Sequence, residues 1–271
     1  MKIVAMANQK GGVGKTTSCV NLAASLAAAK RRVLLVDLDP QGNATMGSGV
    51  QKHAVRYSVN EVLLGTATAK EAIIKGTVGG YDVLPSNARL TESEVGLLSQ
   101  DNREKRLKTA LSDLDDDYDY GLIDCPPSLN MLTVNGLVAA NSVIIPMQCE
   151  YYALEGLSAL VQTIKTLTQA ANPGLTIEGL LRTMYDPRNG LAQAVTEELI
   201  KHFGDKVYKT VIPRNVRLAE APSHGLPVLH YDKYSRGAAC YLALAGEFLK
   251  RQPADPLYGV PAQAQDVETI L

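Results

Sequence analysis

Short apolar runs alternate with longer amphipathic stretches along most of the chain. KIVAMA (2–7), RRVLLVDLD (31–39), YDVLPS (81–86), YDYGLIDCPP (118–127), NSVIIPM (141–147), LTIEGLLRTMY (175–185) and KVYKTVIP (206–213) carry apolar side chains at successive positions and predict strands. Residues 16–30, 90–98, 103–114, 153–171, 191–203 and 234–250 predict helices. Strands apolar on both sides, spaced by helices, predict an α/β fold: a doubly wound, mostly parallel sheet with helices on both faces. Right-handed crossovers then place every strand's C-terminal end on one edge, where ligands bind.

Length and composition leave that picture intact. The 271 residues, 46% of them apolar, suffice for one large domain. No Ser- or Gly-rich linker and no internal repeat divides the chain. We expect a single domain over 1–251 and a mobile extension over 252–271, where three prolines fall and periodicity is lost. A net charge of −1 excludes a global field toward nucleic acid or membrane, so any such binding needs a local patch. The four cysteines are far apart with no C-x-x-C pair, which argues against a zinc site or a disulfide framework and for a reducing cytosol. The first residues lack the apolar length of a signal segment, and no run approaches a membrane span.

The chemistry starts at NQKGGVGKTT (8–17), between the first predicted strand and the first predicted helix. That context suits a phosphate-binding loop. Glycines let successive N–H groups converge on phosphate oxygens at the positive end of a helix. The backbone from Lys10 through Gly11, Gly12, Val13 and Gly14 to Lys15, Thr16 and Thr17 is the candidate cradle. Lys15 would sit on the β- and γ-phosphates, and the Thr16 hydroxyl would reach Mg²⁺. The usual G-x-x-x-x-G-K-[ST] pattern is broken, however: Gln9 stands where its first glycine belongs, and a second lysine, Lys10, opens the glycine run. A carboxylate ends the predicted strand YGLIDCPP, and Asp124 there is the candidate Walker B residue, holding Mg²⁺ through water. Asp37 and Asp39 leave the second strand on the same edge.

KGGVGKTT resembles the deviant Walker A motif of the ParA/MinD class of P-loop ATPases. LLVDLDPQGNATMGSG (34–49), YGLIDCPPSL (120–129) and VIPRNVRLAEAPSHGLPV (211–228) resemble its ParA/Soj branch, the chromosome- and plasmid-partitioning proteins, over about residues 1–250. The resemblance implies ATP and Mg²⁺ as cofactors and slow ATP hydrolysis. It implies that Lys10 reaches across a homodimer interface to the partner's nucleotide, that Asp39 positions the attacking water, and that Asp37 supports the metal region. It places Pro213 and Asn215 against the base, and Arg188 and Arg217 on DNA. Asn215 also fits a helix cap.

Charge is uneven along the chain. Residues 91–124 hold ten acids against four Lys or Arg, and residues 182–236 nine Lys or Arg against six acids. Few aromatics interleave with these basic residues, which fits phosphate contact without sequence readout. The expected function is an ATP-dependent switch for DNA segregation: an ATP-bound sandwich dimer binds double-stranded DNA non-specifically, and hydrolysis, stimulated by a ParB/Spo0J-type centromere-binding protein, releases it. The acidic DLDDDYD (113–119) is a candidate for attracting that partner. The expected location is cytoplasmic and nucleoid-associated, with no membrane contact. The alternative is a MinD-like membrane-cycling ATPase, which needs a basic C-terminal amphipathic helix; residues 252–271 contain no Lys or Arg.

Overall fold

The computed structural model describes residues 1–252. Seven strands, β1 (Lys2–Met6), β2 (Val33–Asp37), β3 (Asp82–Leu84), β4 (Tyr120–Asp124), β5 (Ser142–Met147), β6 (Thr176–Tyr185) and β7 (Val207–Pro213), form one sheet in the order β3-β2-β4-β1-β5-β6-β7. Every neighbouring pair is parallel. The order reverses at β1, which lies between β4 and β5. A doubly wound sheet opens its ligand crevice at such a reversal.

The helices are α1 (Lys15–Ala28), α2 (Asn43–Gly47), α3 (Val59–Leu64), α4 (Ala69–Ala72), α5 (Leu90–Gly96), α6 (Arg106–Ser112), α7 (Met131–Ala139), α8 (Ala153–Ala170), α9 (Gly190–Phe203), α10 (Val216–Glu220), α11 (Val228–Tyr231) and α12 (Arg236–Arg251). Strand side chains alternate between two cores. Ile3 and Ala5 of β1 and Leu34 and Val36 of β2 point to one side, among α3, α6, α7, α8 and α9. Val4 and Met6 with Val33 and Leu35 point to the other, where α1 and α12 contribute Leu22, Leu26, Tyr241 and Phe248. Burial on both sides explains why the strands lack polar alternation. Truncating one of these side chains, such as Leu26, which has no exposed surface, would cost about 2–5 kcal/mol.

Where structure and sequence expectation differ, local physics explains it. The predicted strand 81–86 shrinks to three residues because Pro85 cannot donate to a ladder. The predicted helix 103–114 splits into a 3₁₀ turn at Arg103–Lys105 and α6. Gln252, at the predicted start of the extension, donates to Glu178 Oε1 (3.0 Å) and to the Phe248 carbonyl (2.8 Å). The rest of that expected extension, 253–271, lies outside the described residues.

Candidate functional site

β1 delivers the chain to the sheet edge, and α1 carries it away. Asn8 shapes the exit: its Nδ2 donates to the Pro146 carbonyl (2.7 Å), and its Oδ1 accepts from Lys10 N (3.0 Å). Gly12 and Gly14 take φ of +73° and +84°, a region open to glycine at low cost. Gly14 is the N-cap of α1, so the loop ends at the positive pole of a helix of 14 residues.

The two lysines have different surroundings. Lys15 is 7% exposed, and its Nζ turns back to donate to the Lys10 carbonyl at 3.0 Å. Burial lowers its pKa, against the opposing pull of Asp124, Cys125 and Asp39. Lys10 is exposed at the rim, and its Nζ pairs with Glu150 Oε2 at 2.5 Å, with both side chains about half exposed. One ammonium is held inside the loop and the other is presented outward.

Three carboxylates cluster on the neighbouring strands. Asp37 and Asp124 are register partners on β2 and β4, and Met6 at the end of β1 is opposite Asp124 on its other side. Asp37 is fully buried and accepts from Asp39 N (3.1 Å), Thr45 N (2.8 Å) and Thr45 Oγ1 (2.7 Å). Burial raises its pKa to about 6 in spite of those bonds. It therefore pins the segment from Asp39 to α2. Asp39 is half-buried; its Oδ1 accepts from Gln41 N (2.9 Å) and its carbonyl from Ser86 Oγ (2.8 Å). Asp124 is 1% exposed, and neither carboxylate oxygen has a hydrogen-bond donor. Burial, then Asp37 and Asp39 push its pKa up, and the nearby Thr16 hydroxyl and then Lys15 pull the other way. A buried carboxylate lacking donors is costly unless a cation or water meets it. With Thr16 at the start of α1, this donor set fits a hydrated Mg²⁺.

The loop is braced by residues that the sequence did not single out. Thr183 Oγ1, on β6, lies within hydrogen-bond reach of the carbonyls of Val13 (2.8 Å) and Met147 (3.1 Å). Gln148 Nε2 donates to the Gly12 carbonyl at 3.2 Å. These braces tie the Gly12 and Val13 carbonyls to β6 and to the residue after β5. No local pattern marks Thr183 or Glu150, since each acts on a segment more than a hundred residues away in sequence.

The other candidates lie farther along the same edge. Pro213 ends β7 and is buried, and Asn215 caps α10 by accepting from Leu218 N (3.2 Å), the cap geometry that the sequence also allowed. Arg188 is exposed and held by Asp186 at 2.9 Å; Arg217 is paired with Glu220 (2.8 Å) and Asp232 (3.2 Å). Arg182, counted in the basic third of the chain, is only 8% exposed, and its Nη2 donates to the Tyr208 carbonyl, so it adds no charge to a surface patch. The acidic stretch 113–119 precedes β4 and so lies at the opposite sheet edge. Three of its five carboxylates pair with the protein's own cations: Asp115 with the N-terminus, Asp117 with Lys70, Asp119 with Arg32. Burial pushes up the thiol pKa values of Cys125 and Cys149 and keeps both protonated. Among the described residues no helix is long and apolar enough to cross a membrane.

Comparison with known proteins places this arrangement. An AAA domain family model matches residues 1–177. The sporulation initiation inhibitor protein Soj of Bacillus subtilis is 55% identical over 91% of this chain and 97% of its own length. The chromosome partitioning protein ParA of Myxococcus xanthus is 50% identical over 94% of this chain and 90% of its own. Among solved structures, the cobyrinic acid a,c-diamide synthase of Mycobacterium smegmatis, with a bound ATP analogue and magnesium, superposes with a TM-score of 0.80 at 41% identity, covering 90% of this chain and 92% of that one. A phosphate loop at the reversal of a seven-stranded parallel sheet, an inward and an outward lysine, and these relatives agree: the chain belongs to the Soj/ParA family of chromosome-partitioning proteins, within the AAA-domain ATPases.

Proposed function

We propose that the protein is an ATP-dependent molecular switch for DNA segregation, using ATP and Mg²⁺. The observation that carries this reading is the division of labour between the lysines: Lys15 is buried and committed to its own loop, whereas Lys10 stands exposed at the rim. An outward ammonium beside a phosphate cradle suits a second protomer's nucleotide, where it would offset charge on the transferring phosphoryl group. The backbone of Gly11 to Thr17 holds the phosphates. Thr16 and Asp124, with Asp37 behind them, hold the metal, which when bound neutralises phosphate charge. Asp39 orients the attacking water, and Pro213 and Asn215 border the base.

In this reading the ATP-held dimer binds double-stranded DNA through Arg188 and Arg217 of both subunits. Hydrolysis, slow alone and stimulated by a ParB/Spo0J-type partner, releases it. The protein works in the cytoplasm on the nucleoid. The identity of 50–55% to relatives named Soj and ParA, against 41% to the structure named for an amide-forming synthase, favours partitioning. The test is sedimentation with and without ATP, repeated with DNA. ATP is expected to double the mass and to be required for co-sedimentation with a duplex; a monomer under every condition would overturn the reading.

A further inference from the structure

A cavity of about 310 Å³ opens on the outer side of the Asp39 segment, lined by Lys52, His53, Val55, Arg56, Asn87, Ala88 and Arg89. Three of those side chains are permanent cations, and a histidine adds a fourth nitrogen donor group. Their fixed partners are few. Arg89 pairs with Glu61 at 3.0 Å, and Arg56 lies over the Tyr57 ring at 4.9 Å with Glu71 within electrostatic reach. Among the described residues Lys52 and Arg56 have no ion-pair carboxylate; Lys52 Nζ instead donates to the Gln41 carbonyl at 2.5 Å. Asn87 is 7% exposed, and its Oδ1 accepts from Arg89 N (3.0 Å), which fixes the side chain at the cavity wall. Three cations lining one cavity, offset only in part by Glu61 on Arg89 and Glu71 near Arg56, repel one another and favour an anion. Arg forks and an amide N–H suit phosphate oxygens.

The cavity wall is also the back of the candidate catalytic turn. Gly42 has a φ of +62°, and a Cβ there would stand 2.8 Å from Lys52 Cδ and 2.9 Å from the Ser86 carbonyl oxygen. Ser86, next to Asn87, holds the Asp39 carbonyl, and Asp39 Oδ1 holds Gln41 N. Lys52 thus touches the turn on one side and the cavity on the other.

We propose that this cavity is a second anion site, distinct from the phosphate loop, that takes a phosphate group between Lys52, Arg56 and Arg89 and adjusts the Asp39 turn through Lys52. The coupling to turnover rests on the function proposed above; anion binding does not. The volume suits a small phosphate-bearing anion, and a DNA backbone phosphate shares the chemistry.

The experiment titrates inorganic phosphate into the full chain saturated with ADP and Mg²⁺, which occupies the α- and β-phosphate positions of the loop, and follows backbone amide shifts. Saturable shifts at residues 52–56, 41–42 and 87–89 are expected. They should weaken at least tenfold in Lys52→Ala/Arg56→Ala, with a near-native melting temperature of the double variant verifying folding. Shifts confined to residues 10–17, or an equal titration in the double variant, would overturn the site. A second arm adds a short duplex. Displacement of phosphate by duplex at the same amides identifies the backbone as the source; no displacement identifies a small anion. Shifts produced by duplex alone, with none from free phosphate, would overturn a site preformed for the phosphate group itself. Dimerisation is not read in either arm, so failure of the switch reading leaves this result separate.

Discussion

The Thr183 hydroxyl lies 2.8 Å from the Val13 carbonyl, fastening the end of β6 to the middle of the phosphate loop. The same hydroxyl is 3.1 Å from the Met147 carbonyl at the end of β5, so one buried side chain joins three segments of the site edge. Thr183→Val keeps the shape and removes the donor. An unmet buried carbonyl costs about 1–3 kcal/mol. We expect nucleotide affinity to fall about tenfold, with Thr183→Ser restoring most of it, as measured by calorimetric titration of ADP. Equal affinity in Thr183→Val and wild type would show that the brace does not shape the loop.

Lys15→Ala is expected to abolish ATP binding, whereas Lys10→Ala binds ATP but neither dimerises productively nor turns over. Lys10 is held by Glu150 in a half-exposed pair, and such pairs contribute about 0–1 kcal/mol. Glu150→Gln should therefore leave the melting temperature nearly unchanged while freeing Lys10. Wild-type hydrolysis by Lys10→Ala would remove its role in a dimer.

Asp39→Ala should accumulate an ATP-bound dimer that binds DNA and hardly turns over, because Asp39 touches the Gln41 turn and not the phosphate cradle. Gly11→Val should do the reverse. Nothing lies within 4 Å of a Cβ at Gly11, so the monomer accommodates the side chain and only a second protomer would meet it. Light scattering with ATP separates the two; a Gly11→Val dimer or an Asp39→Ala monomer contradicts the assignment.

Replacing Arg188 or Arg217 by Ala should remove about two phosphate contacts per symmetric dimer. The log–log salt slope of duplex binding then becomes shallower by roughly 0.9 per lost contact, about 2 in all. Each arginine must first leave its carboxylate partners, Asp186 for Arg188 and Glu220 with Asp232 for Arg217. Asp186→Asn is accordingly expected to tighten DNA binding. An unchanged slope in both arginine variants would move the DNA face elsewhere.

At the sheet edge away from the site, burial works against the Glu178 carboxylate, but bonds from Lys2 (2.7 Å), Ser142 (2.8 Å) and Gln252 (3.0 Å) outweigh it and hold its pKa below the usual value. A lowered pKa means that the folded state binds this proton less readily than the unfolded one. The stabilisation is thus present above the unfolded pKa near 4.5 and lost as pH falls through the lower folded value. Glu178→Gln is expected to cost about 1–2 kcal/mol at pH 7 and to converge on wild type once the pH has fallen below the lowered folded value, with ATP binding unaffected. Chemical denaturation at several pH values measures it.

The seven strands were legible because each is a short apolar run bounded by Gly, Pro or charge. The helices missed were those with little amphipathic contrast. α7 (MLTVNGLVA) is buried on nearly every side, so it shows no stripe; only its Asn130 cap, accepting from Thr133 N, announces it. α3 and α4 were missed as well, although two capping boxes, Ser58 with Glu61 and Thr68 with Glu71, mark their starts, each with both reciprocal bonds formed. At the site, the contiguous glycine-lysine run exposes itself in sequence. The Asp37–Thr45 bond, the Lys10–Glu150 pair and the basic cavity are products of topology: Lys52 and Asn87 meet only because β2 and β3 are neighbours.

The place of β1 at the sheet's centre has a consequence for biosynthesis. Its neighbours, β4 and β5, begin at Tyr120 and Ser142. The strand that carries the phosphate loop therefore leaves the ribosome before either neighbour and waits for both edges to be filled. At about 5–20 residues per second the wait for β5 is on the order of 7–28 s. During it, an apolar strand and the glycine loop behind it are exposed together, so nascent chains truncated before Met147 should depend on chaperones to a degree that the finished protein does not.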